Sequence, residues 1–115
     1  MTRPRKLRLV NFEPGVTYFK PRGIPLSLLK ETVLTVDELE AIRLKNYQGL
    51  EQVDCAKKMK ISQSTFQRIL ASANKKIAEA LIEGKAIKIE GGDIKFQVPG
   101  FQSQKFFRWH RNRNT

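Results

Sequence analysis

The stretch that decides the fold is residues 50–70, LEQVDCAKKMKISQSTFQRIL. Its first part carries apolar residues at every third position, a spacing that places them on one face of a helix: Leu50, Val53, Ala56 and Met59. A second helical pattern follows Ser62, whose hydroxyl can cap a helix, and it extends to about Ile82. Lys60 and Ile61 separate the two patterns, so the sequence predicts two helices joined by a short turn.

Two helices joined so closely must touch through small and apolar side chains. Ala56 is the small residue at the expected contact, and the apolar positions around it are Cys55, Met59, Ile61, Phe66 and Ile69. Polar residues project outward from the start of the second helix: Gln63, Ser64, Gln67 and Arg68. With another helix beside them, such a pair is typical of a helix-turn-helix. Lys60 stands in the turn, where the backbone usually adopts a positive φ that costs a non-glycine residue about 1 kcal/mol.

The ends of the neighbouring helices are marked by capping residues. Thr35 and Glu38 have the spacing of a capping box, which predicts that a helix begins there. An apolar stripe follows it, formed by Val36, Leu39, Ile42 and Leu44. Pro25 opens a shorter helix before it, and Gly84 is a natural end for the long helix.

Two strand patterns accompany the helices. Apolar residues alternate on both sides of Gly91 and Gly92, which predicts a β-hairpin over residues 86–98. A similar alternation at residues 6–10 predicts a short strand. We therefore expect a mainly α fold, a helix-turn-helix domain of three or four helices, with a small β-hairpin or sheet formed by residues 86–98 and 6–10.

The patterns divide the chain into four segments. They are a basic N-terminal arm with the short strand (1–24), a helical helix-turn-helix domain (25–84), the β-hairpin (85–98) and a basic tail without periodicity (99–115). We expect the tail to be flexible, because termini without apolar periodicity are seldom held in place.

The charge of the chain favours a polyanionic partner. It has 22 Lys and Arg against 11 Asp and Glu, a net charge of +11, and most of the excess lies toward the two ends. Basic ends around a near-neutral middle favour nucleic acid over simple solubility. A membrane surface is disfavoured, because neither end has a basic amphipathic helix with bulky apolar residues.

Several other classes of function are excluded by residue content. No apolar run is long enough to span a bilayer and no signal peptide opens the chain, so we expect a cytoplasmic protein. A single cysteine, Cys55, and a single histidine, His110, argue against a metal site, and we expect no cofactor. No paired catalytic groups are visible, so we expect no enzyme. Acidic residues near Thr35 are explained as favourable first-turn charges: Asp37, Glu38 and Glu40.

The chain resembles known helix-turn-helix proteins. Residues 35–44 and 61–70 look like the helix-turn-helix of sigma-factor region 4. A longer resemblance is to UPF0251 (DUF134), a family of small prokaryotic proteins described as predicted DNA-binding proteins. It is carried by residues 3–5, 19–26, 37–41 and 83–92. The chain departs from the family at Lys60, where glycine is usual, and at Asp54 and Cys55, where an acidic residue and alanine are more typical. The resemblance implies DNA binding, and the family has no established enzymatic activity to carry over.

We therefore expect a sequence-specific duplex DNA-binding protein, a transcriptional regulator that places the helix from Ser62 in the major groove. Gln63 and Gln67 suit adenine edges, and Arg68 suits guanine or a phosphate. Other hydroxyl residues of that turn would contact phosphates: Ser62, Ser64 and Thr65. The N-terminal arm offers Arg3, Arg5 and Arg8 to the minor groove, although a solvated arm explains them equally well. On the hairpin, Lys88 and Lys95 would contact the backbone as a wing.

An RNA-binding or RNA-polymerase-interacting module without base readout is the alternative. Residues 106–111 mix aromatic and basic side chains that can stack on unpaired bases, whereas a disordered end that packs on the domain explains them as well. A homodimer is also compatible with the sequence, through strand edges of residues 86–98 and 7–10.

Overall fold

The computed structural model describes residues 7–96 and the backbone of residues 106–108. Its helices are α1 (Val36–Ile42), α2 (Gln52–Met59) and α3 (Gln63–Glu83), with a 3-10 turn at Leu26–Leu28 and a π-helical turn at Arg43–Tyr47. Its strands are β1 (Arg8–Val10), β2 (Tyr18–Phe19), β3 (Glu31–Leu34), β4 (Ala86–Ile89), β5 (Asp93–Phe96) and β6 (Phe106–Arg108). About half of the described residues are helical, so the predicted mainly α class is confirmed only in part. None of the described helices is long and apolar enough to cross a bilayer.

Helix α1 starts where the sequence predicted. The capping box at Thr35 is present, and its backbone N–H donates to Oε1 of Glu38 at 2.9 Å. The Thr35 hydroxyl donates to Oδ1 of Asp37 at 2.5 Å. Because Glu38 accepts the Thr35 N–H and Asp37 accepts the Glu38 N–H, free backbone donors at the start of the helix are satisfied, and the chain changes from strand β3 to helix α1 within one residue.

Helices α2 and α3 pack through the residues predicted for their contact. One core cluster contains Ala41, Leu44, Cys55, Ala56, Met59, Phe66, Ile69 and Leu70, with Ile61 partly buried against it. Phe66 and Cys55 are fully buried. Burial raises the pKa of the Cys55 thiol, which keeps it neutral as a small apolar residue.

A second core cluster joins α3 to the two sheets. Its buried members are Val10, Leu34, Val36, Ala73, Ile89, Ile94 and Phe96. It draws on β1, β3, β4 and β5 as well as on α1 and α3, so both sheets share one core with the helices. Helix α3 therefore contributes to both clusters, its first turns to one and its middle to the other.

The predicted hairpin over residues 86–98 is wrong, because its two strands belong to different sheets. One sheet has the order β2-β4-β3 and the other has the order β1-β5-β6. Strand β4 already has a neighbour on each side, which leaves no edge for β5. Gly91 and Gly92, at φ 86° and 106°, carry the chain from one sheet to the other. The carbonyl of Gly91 accepts the N–H of Val36 at 3.1 Å, which fixes this crossing.

The two ends of the described chain meet on strand β5. The strand predicted at residues 6–10 is present as β1 and pairs with β5 in parallel, Arg8 opposite Ile94. Strand β6 pairs with β5 in antiparallel fashion, Asp93 opposite Arg108. Residues 106–108 thus form a strand inside the segment predicted to be a flexible tail. Other parts of that segment, and residues 1–6 and 97–98, lie outside the described residues.

The acidic residues of α1 are buried, and Asp37 and Glu38 lie in its first turn as predicted. Asp37, Glu38 and Glu40 are 5%, 7% and 0% exposed. Oδ2 of Asp37 lies 3.6 Å from Nε of Arg8 on β1. Arg43 donates to both carboxylate oxygens of Glu40, at 2.7 and 2.8 Å. Because a buried charge needs a partner, these pairs fix α1 against its neighbours more strongly than a helix dipole would.

Glu38 links α1 to α3. Nζ of Lys76 donates to its Oε1 at 2.8 Å, and the hydroxyl of Ser72 donates to its Oε2 at 2.6 Å. Burial by itself raises the pKa of Glu38, but the hydrogen bonds from Lys76, Ser72 and the Thr35 N–H outweigh it, so the pKa lies below its usual range. A lowered pKa in the folded state means that the ionised carboxylate stabilises the fold above its unfolded pKa, and that this contribution is lost as the pH falls.

We expect Glu38→Gln to lower the free energy of unfolding by about 1–3 kcal/mol at pH 7, because Lys76 and Ser72 lose a charged acceptor. The difference from the wild type should shrink as the pH falls below the ordinary glutamate pKa of about 4.3 and through the lower pKa of the folded state. Urea unfolding at several pH values measures both effects. The control is Glu79→Gln, which removes a more exposed ion pair with Lys85 and should cost less than Glu38→Gln. Equal losses in the two variants, or a difference independent of pH, would contradict the role of Glu38.

Candidate nucleic-acid interface

The turn between α2 and α3 determines where α3 starts. Lys60 ends α2 in the left-handed conformation, at φ 59° and ψ 46°, as its place in the sequence predicted. The N–H groups of Lys60 and Ile61 both donate back to the carbonyl of Ala56, which closes α2. Ser62 then caps α3, since its Oγ accepts the N–H of Thr65 at 3.2 Å. The chain thus passes from one helix to the next over three residues.

The first two turns of α3 have a buried face and an exposed face. The buried face consists of Phe66, Ile69 and Leu70. On the opposite side lie the residues predicted to project outward, and the structure exposes them: Gln63, Ser64, Gln67 and Arg68. We call these four residues the polar face of α3. Ser62 is exposed beside them, whereas Thr65 is half-buried.

Two contacts orient side chains of the polar face. Nε2 of Gln67 donates to Oε1 of Gln52 at 3.0 Å, which ties the exposed side of α3 to the first turn of α2. Nη2 of Arg68 lies 3.5 Å from Oγ1 of Thr65, at the limit of a hydrogen bond. A guanidinium has five N–H donors, so Arg68 keeps most of them for a ligand.

A cleft of about 470 Å³ lies next to the polar face, between α3 and the start of α1. Arg68, Lys76 and Arg8 bring three cations to it, while Asp37 and Glu38 bring two carboxylates. Lys76 and Arg8 are paired with these carboxylates. Arg68 is therefore the cation of this cleft that is most available to an anion.

Arg8 does not occupy the place predicted for it. Its strand is part of a sheet, the residue is 9% exposed, and its guanidinium faces Asp37. The prediction that it reaches into a minor groove from a free arm is wrong, because strand pairing with β5 and burial hold it against α1. Arg3 and Arg5, the other two residues of that prediction, lie outside the described residues.

Lys88 is likewise not part of a hairpin wing. It lies on the central strand β4, opposite Tyr18 of β2, and its Nζ is 3.8 Å from Oε1 of Glu90. Lys95, which the same prediction placed beside it, lies on β5 in the other sheet. Since the two strands do not form a hairpin, the structure does not bring these lysines together as predicted.

Three further cations close to the start of α3 were missed by the sequence reasoning. Lys57, Lys58 and Lys60 are exposed at the end of α2 and in the turn. Within the part of the chain that the structure describes, no carboxylate lies within 4.0 Å of their amino groups. The lysine-rich run 57–60 was the available signal, and its position at the C-terminal end of a helix also favours basic residues.

The fold and this surface define a small domain of three helices and two three-stranded sheets, which presents a polar and basic surface at the start of its longest helix. Residues 1–97 match the family model described as "Protein of unknown function DUF134". The chain belongs to this family, DUF134 or UPF0251, as the sequence motifs predicted.

Curated relatives agree with this assignment. A UPF0251 protein of Caldanaerobacter subterraneus subsp. tengcongensis is 63% identical over 95 residues, which cover 83% of this chain and 80% of the relative. A UPF0251 protein of Thermoanaerobacter pseudethanolicus is 58% identical with the same coverage. One from Halothermothrix orenii is 56% identical over an alignment that covers 94% of this chain and 90% of the relative. No solved structure gives a significant match.

We expect Lys60→Gly to raise the free energy of unfolding by about 0.5–1 kcal/mol. Glycine adopts the left-handed conformation without strain, which stabilises the folded state. Part of this stabilisation is offset because glycine also makes the unfolded chain more flexible. Chemical denaturation measures the change. Lys60→Ala removes the charge but not the strain, so its stability should stay within about 0.5 kcal/mol of the wild type. Lys58→Gly is the second control and should destabilise α2 by about 1 kcal/mol. A stabilised Lys60→Ala would mean that charge, and not backbone strain, matters at this position.

Proposed function

We propose that this protein binds duplex DNA at specific sequences and regulates transcription, with the first turns of α3 in the major groove. In this proposal α2 and α3 are a helix-turn-helix, and the polar face of α3 reads base edges. Gln63 and Gln67 have amides that match adenine, and Arg68 has a fork that matches guanine. Ser62, Ser64 and Thr65 contact phosphates and fix the register of the helix on the duplex.

The observation that carries the proposal is the exposed polar face on a helix whose opposite side is fully packed. Phe66 is 0% exposed, and Ile69 and Leu70 are each 9% exposed, so α3 cannot rotate to bury its amides. Apart from the contacts with Gln52, Ser62 and Thr65, the donors and acceptors of the polar face are open to water or a ligand. A major groove about 12 Å wide accepts one helix and offers the matching donors and acceptors.

The charges around α3 support the same conclusion. The chain carries +11, and the lysines of residues 57–60 are exposed beside the turn that precedes the polar face. Phosphate contacts fix a protein on DNA and base contacts specify the sequence, so both kinds of group are needed on one surface. In this proposal Arg3 and Arg5 remain candidates for contacts in the minor groove.

Duplex selected from a random pool provides the cognate site for the main test. We expect Arg68→Ala to weaken binding to that site by about 1–3 kcal/mol, measured by fluorescence anisotropy. Arg68→Lys keeps the charge but not the planar fork, so it should lose base discrimination while the salt dependence is retained. Lys20→Ala removes an exposed charge after β2 and is the matched control, expected to bind normally. Unchanged affinity of Arg68→Ala for the selected duplex would rule out readout by this residue.

The salt dependence of binding tests the lysines separately from base readout. The slope of log K against log salt is about −0.9 per phosphate neutralised. We expect Lys57→Ala to reduce the magnitude of that slope by roughly this amount and to weaken binding to selected and random duplexes alike. If the slope is unchanged in Lys57→Ala, this lysine does not contact a phosphate.

Competition between structured RNA and duplex DNA distinguishes the proposal from the alternative of an RNA-binding module. We expect duplex DNA of the selected sequence to displace RNA. If the protein keeps structured RNA bound in the presence of duplex DNA and shows no preference among duplex sequences, the RNA-binding function is favoured. If the protein binds RNA polymerase but binds neither DNA nor RNA, the polymerase-interacting module is favoured.

A further inference from the structure

Strand β5 is the place where both basic ends of the sequence join the fold. Strand β1 runs parallel to it with Arg8 opposite Ile94, so the chain enters β1 at the end of β5 that begins with Asp93. Strand β6 runs antiparallel to it with Arg108 opposite Asp93, so the chain leaves β6 at the same end. The segments that precede β1 and follow β6 are therefore attached at one end of this sheet, although they are far apart in sequence.

The two segments attached there are strongly basic. Residues 1–6 and 109–115 contain no acidic side chain, and they carry five of the cations of the chain: Arg3, Arg5, Lys6, Arg111 and Arg113. Neighbouring strands lie about 4.8 Å apart, so the backbones of Arg8 and Arg108 are separated by about 10 Å across β5. The sheet thus brings together the points from which both groups of cations extend.

This end of β5 borders the cleft beside the polar face of α3. Gly92, directly before β5, and Arg8, at the start of β1, line the cleft on one side, and Arg68 of the polar face lines it from α3. A Cβ at Gly92 would lie 3.0 Å from Oδ1 of Asp37, so the start of β5 packs closely against the first turn of α1. The two attachment points are therefore held next to the polar face.

We propose that residues 1–6 and 109–115 together form a second DNA-contacting region, which binds backbone phosphates beside the groove that α3 enters. This proposal rests on the proposed function and extends it to both ends of the sequence. A chain of six or seven residues spans at most about 20–25 Å, and phosphates along one strand are about 3.4 Å apart. Each segment can therefore reach several phosphates from its attachment point.

The surroundings of the polar face favour this assignment. Gln67 contacts Gln52 on α2, whereas Arg68 faces the cleft, so the polar face has α2 on one side and the cleft on the other. The exposed lysines of residues 57–60 lie on the α2 side. On the cleft side, Arg8 and Lys76 are already paired with carboxylates. Since a helix in a groove has phosphates on both sides, the two basic segments supply the cations that the cleft side otherwise lacks.

The same strand pairing removes the free edges that the sequence predicted for a homodimer. Strands β4 and β5 are central in their sheets, so the prediction of free edges within residues 86–98 is wrong for both of these strands. Strand β1 lies at the edge of its sheet, and pairing with a second chain through residues 7–10 stays a prediction.

Binding of charge variants of the full chain to the selected duplex tests the proposal. We expect the double variant Arg111→Gln, Arg113→Gln to reduce the magnitude of the salt slope by about 1.8, since each lost phosphate contact removes about 0.9. The double variant Arg3→Gln, Arg5→Gln should have the same effect. At about 0.1 M salt, each should bind selected and random duplexes at least about tenfold more weakly than the wild type.

The double variant Lys20→Gln, Arg22→Gln is the matched control, because it removes two exposed cations at another place. These residues precede Ile24, whose Cδ1 lies 3.7 Å from the position of a Cβ at Gly84, so they belong to the far end of α3. The control should keep the wild-type affinity and salt slope. Circular dichroism and urea unfolding should give wild-type values for all three double variants, because surface substitutions of this kind change stability little.

Hydroxyl-radical footprinting on the selected duplex locates the contacts. We expect the wild type to protect backbone positions next to the base pair whose recognition is lost in Arg68→Ala. Both double variants of the basic segments should lose protection at those positions, since both segments are attached beside the cleft that Arg68 lines. Protection lost only on the opposite side of the α3 contact would overturn the proposed location.

The outcomes distinguish this proposal from the proposed function. If the wild type binds the selected duplex and the double variants match its affinity and slope, this proposal is overturned and the proposed function stands. An effect confined to one segment overturns the joint contact. Loss of affinity for structured RNA alone overturns the proposal in favour of the RNA-binding module. If the wild type binds no duplex, the proposed function is contradicted, and this proposal with it.

Discussion

Three buried carboxylates of α1 connect parts of the molecule that are distant along the chain. Asp37 faces Arg8 on β1, Glu38 binds Lys76 on α3, and Glu40 accepts the backbone N–H of Asn11, which follows β1. Removing either partner of such a buried pair leaves an uncompensated charge, so each pair strongly favours one arrangement of the elements. The position of α3 against both core clusters depends on this set of contacts, and with it the position of every exposed residue on that helix.

Helix α3 is the element on which the proposed function depends. Its start is fixed by the left-handed turn at Lys60 and by the Ser62 cap, and its underside is fixed by Phe66 in the core. Its end, beyond Ala80, leaves the core and exposes Leu81 and Ile82. A helix held in this way keeps the polar face in one position relative to the rest of the domain.

Much of the helical part could be predicted from local sequence. The Thr35–Glu38 spacing, the Ser62 cap and the apolar periodicity each act within a few residues, so their consequences are local and readable. The left-handed turn at Lys60 was predicted from its place between two helices. The four residues of the polar face were also predicted to be exposed, since helical spacing alone separates them from the core. Their role in binding DNA stays a prediction.

The sequence by itself determined where α1 and α3 begin, where α3 ends at Gly84, the contact between α2 and α3 and the outward face of α3, because these follow from neighbours at fixed spacing. It did not determine that the helix expected at Pro25 is only a 3-10 turn or that α1 gives way to a π-helical turn at Arg43. Only the tertiary structure decided which strands pair. Alternation on both sides of Gly91 and Gly92 is compatible with a hairpin and with a crossing between sheets, and the choice depended on the pairing of β4 with β2 and β3. It also decided that Arg8 and the carboxylates of α1 are buried, since long-range packing determines whether a charged residue meets water or a partner.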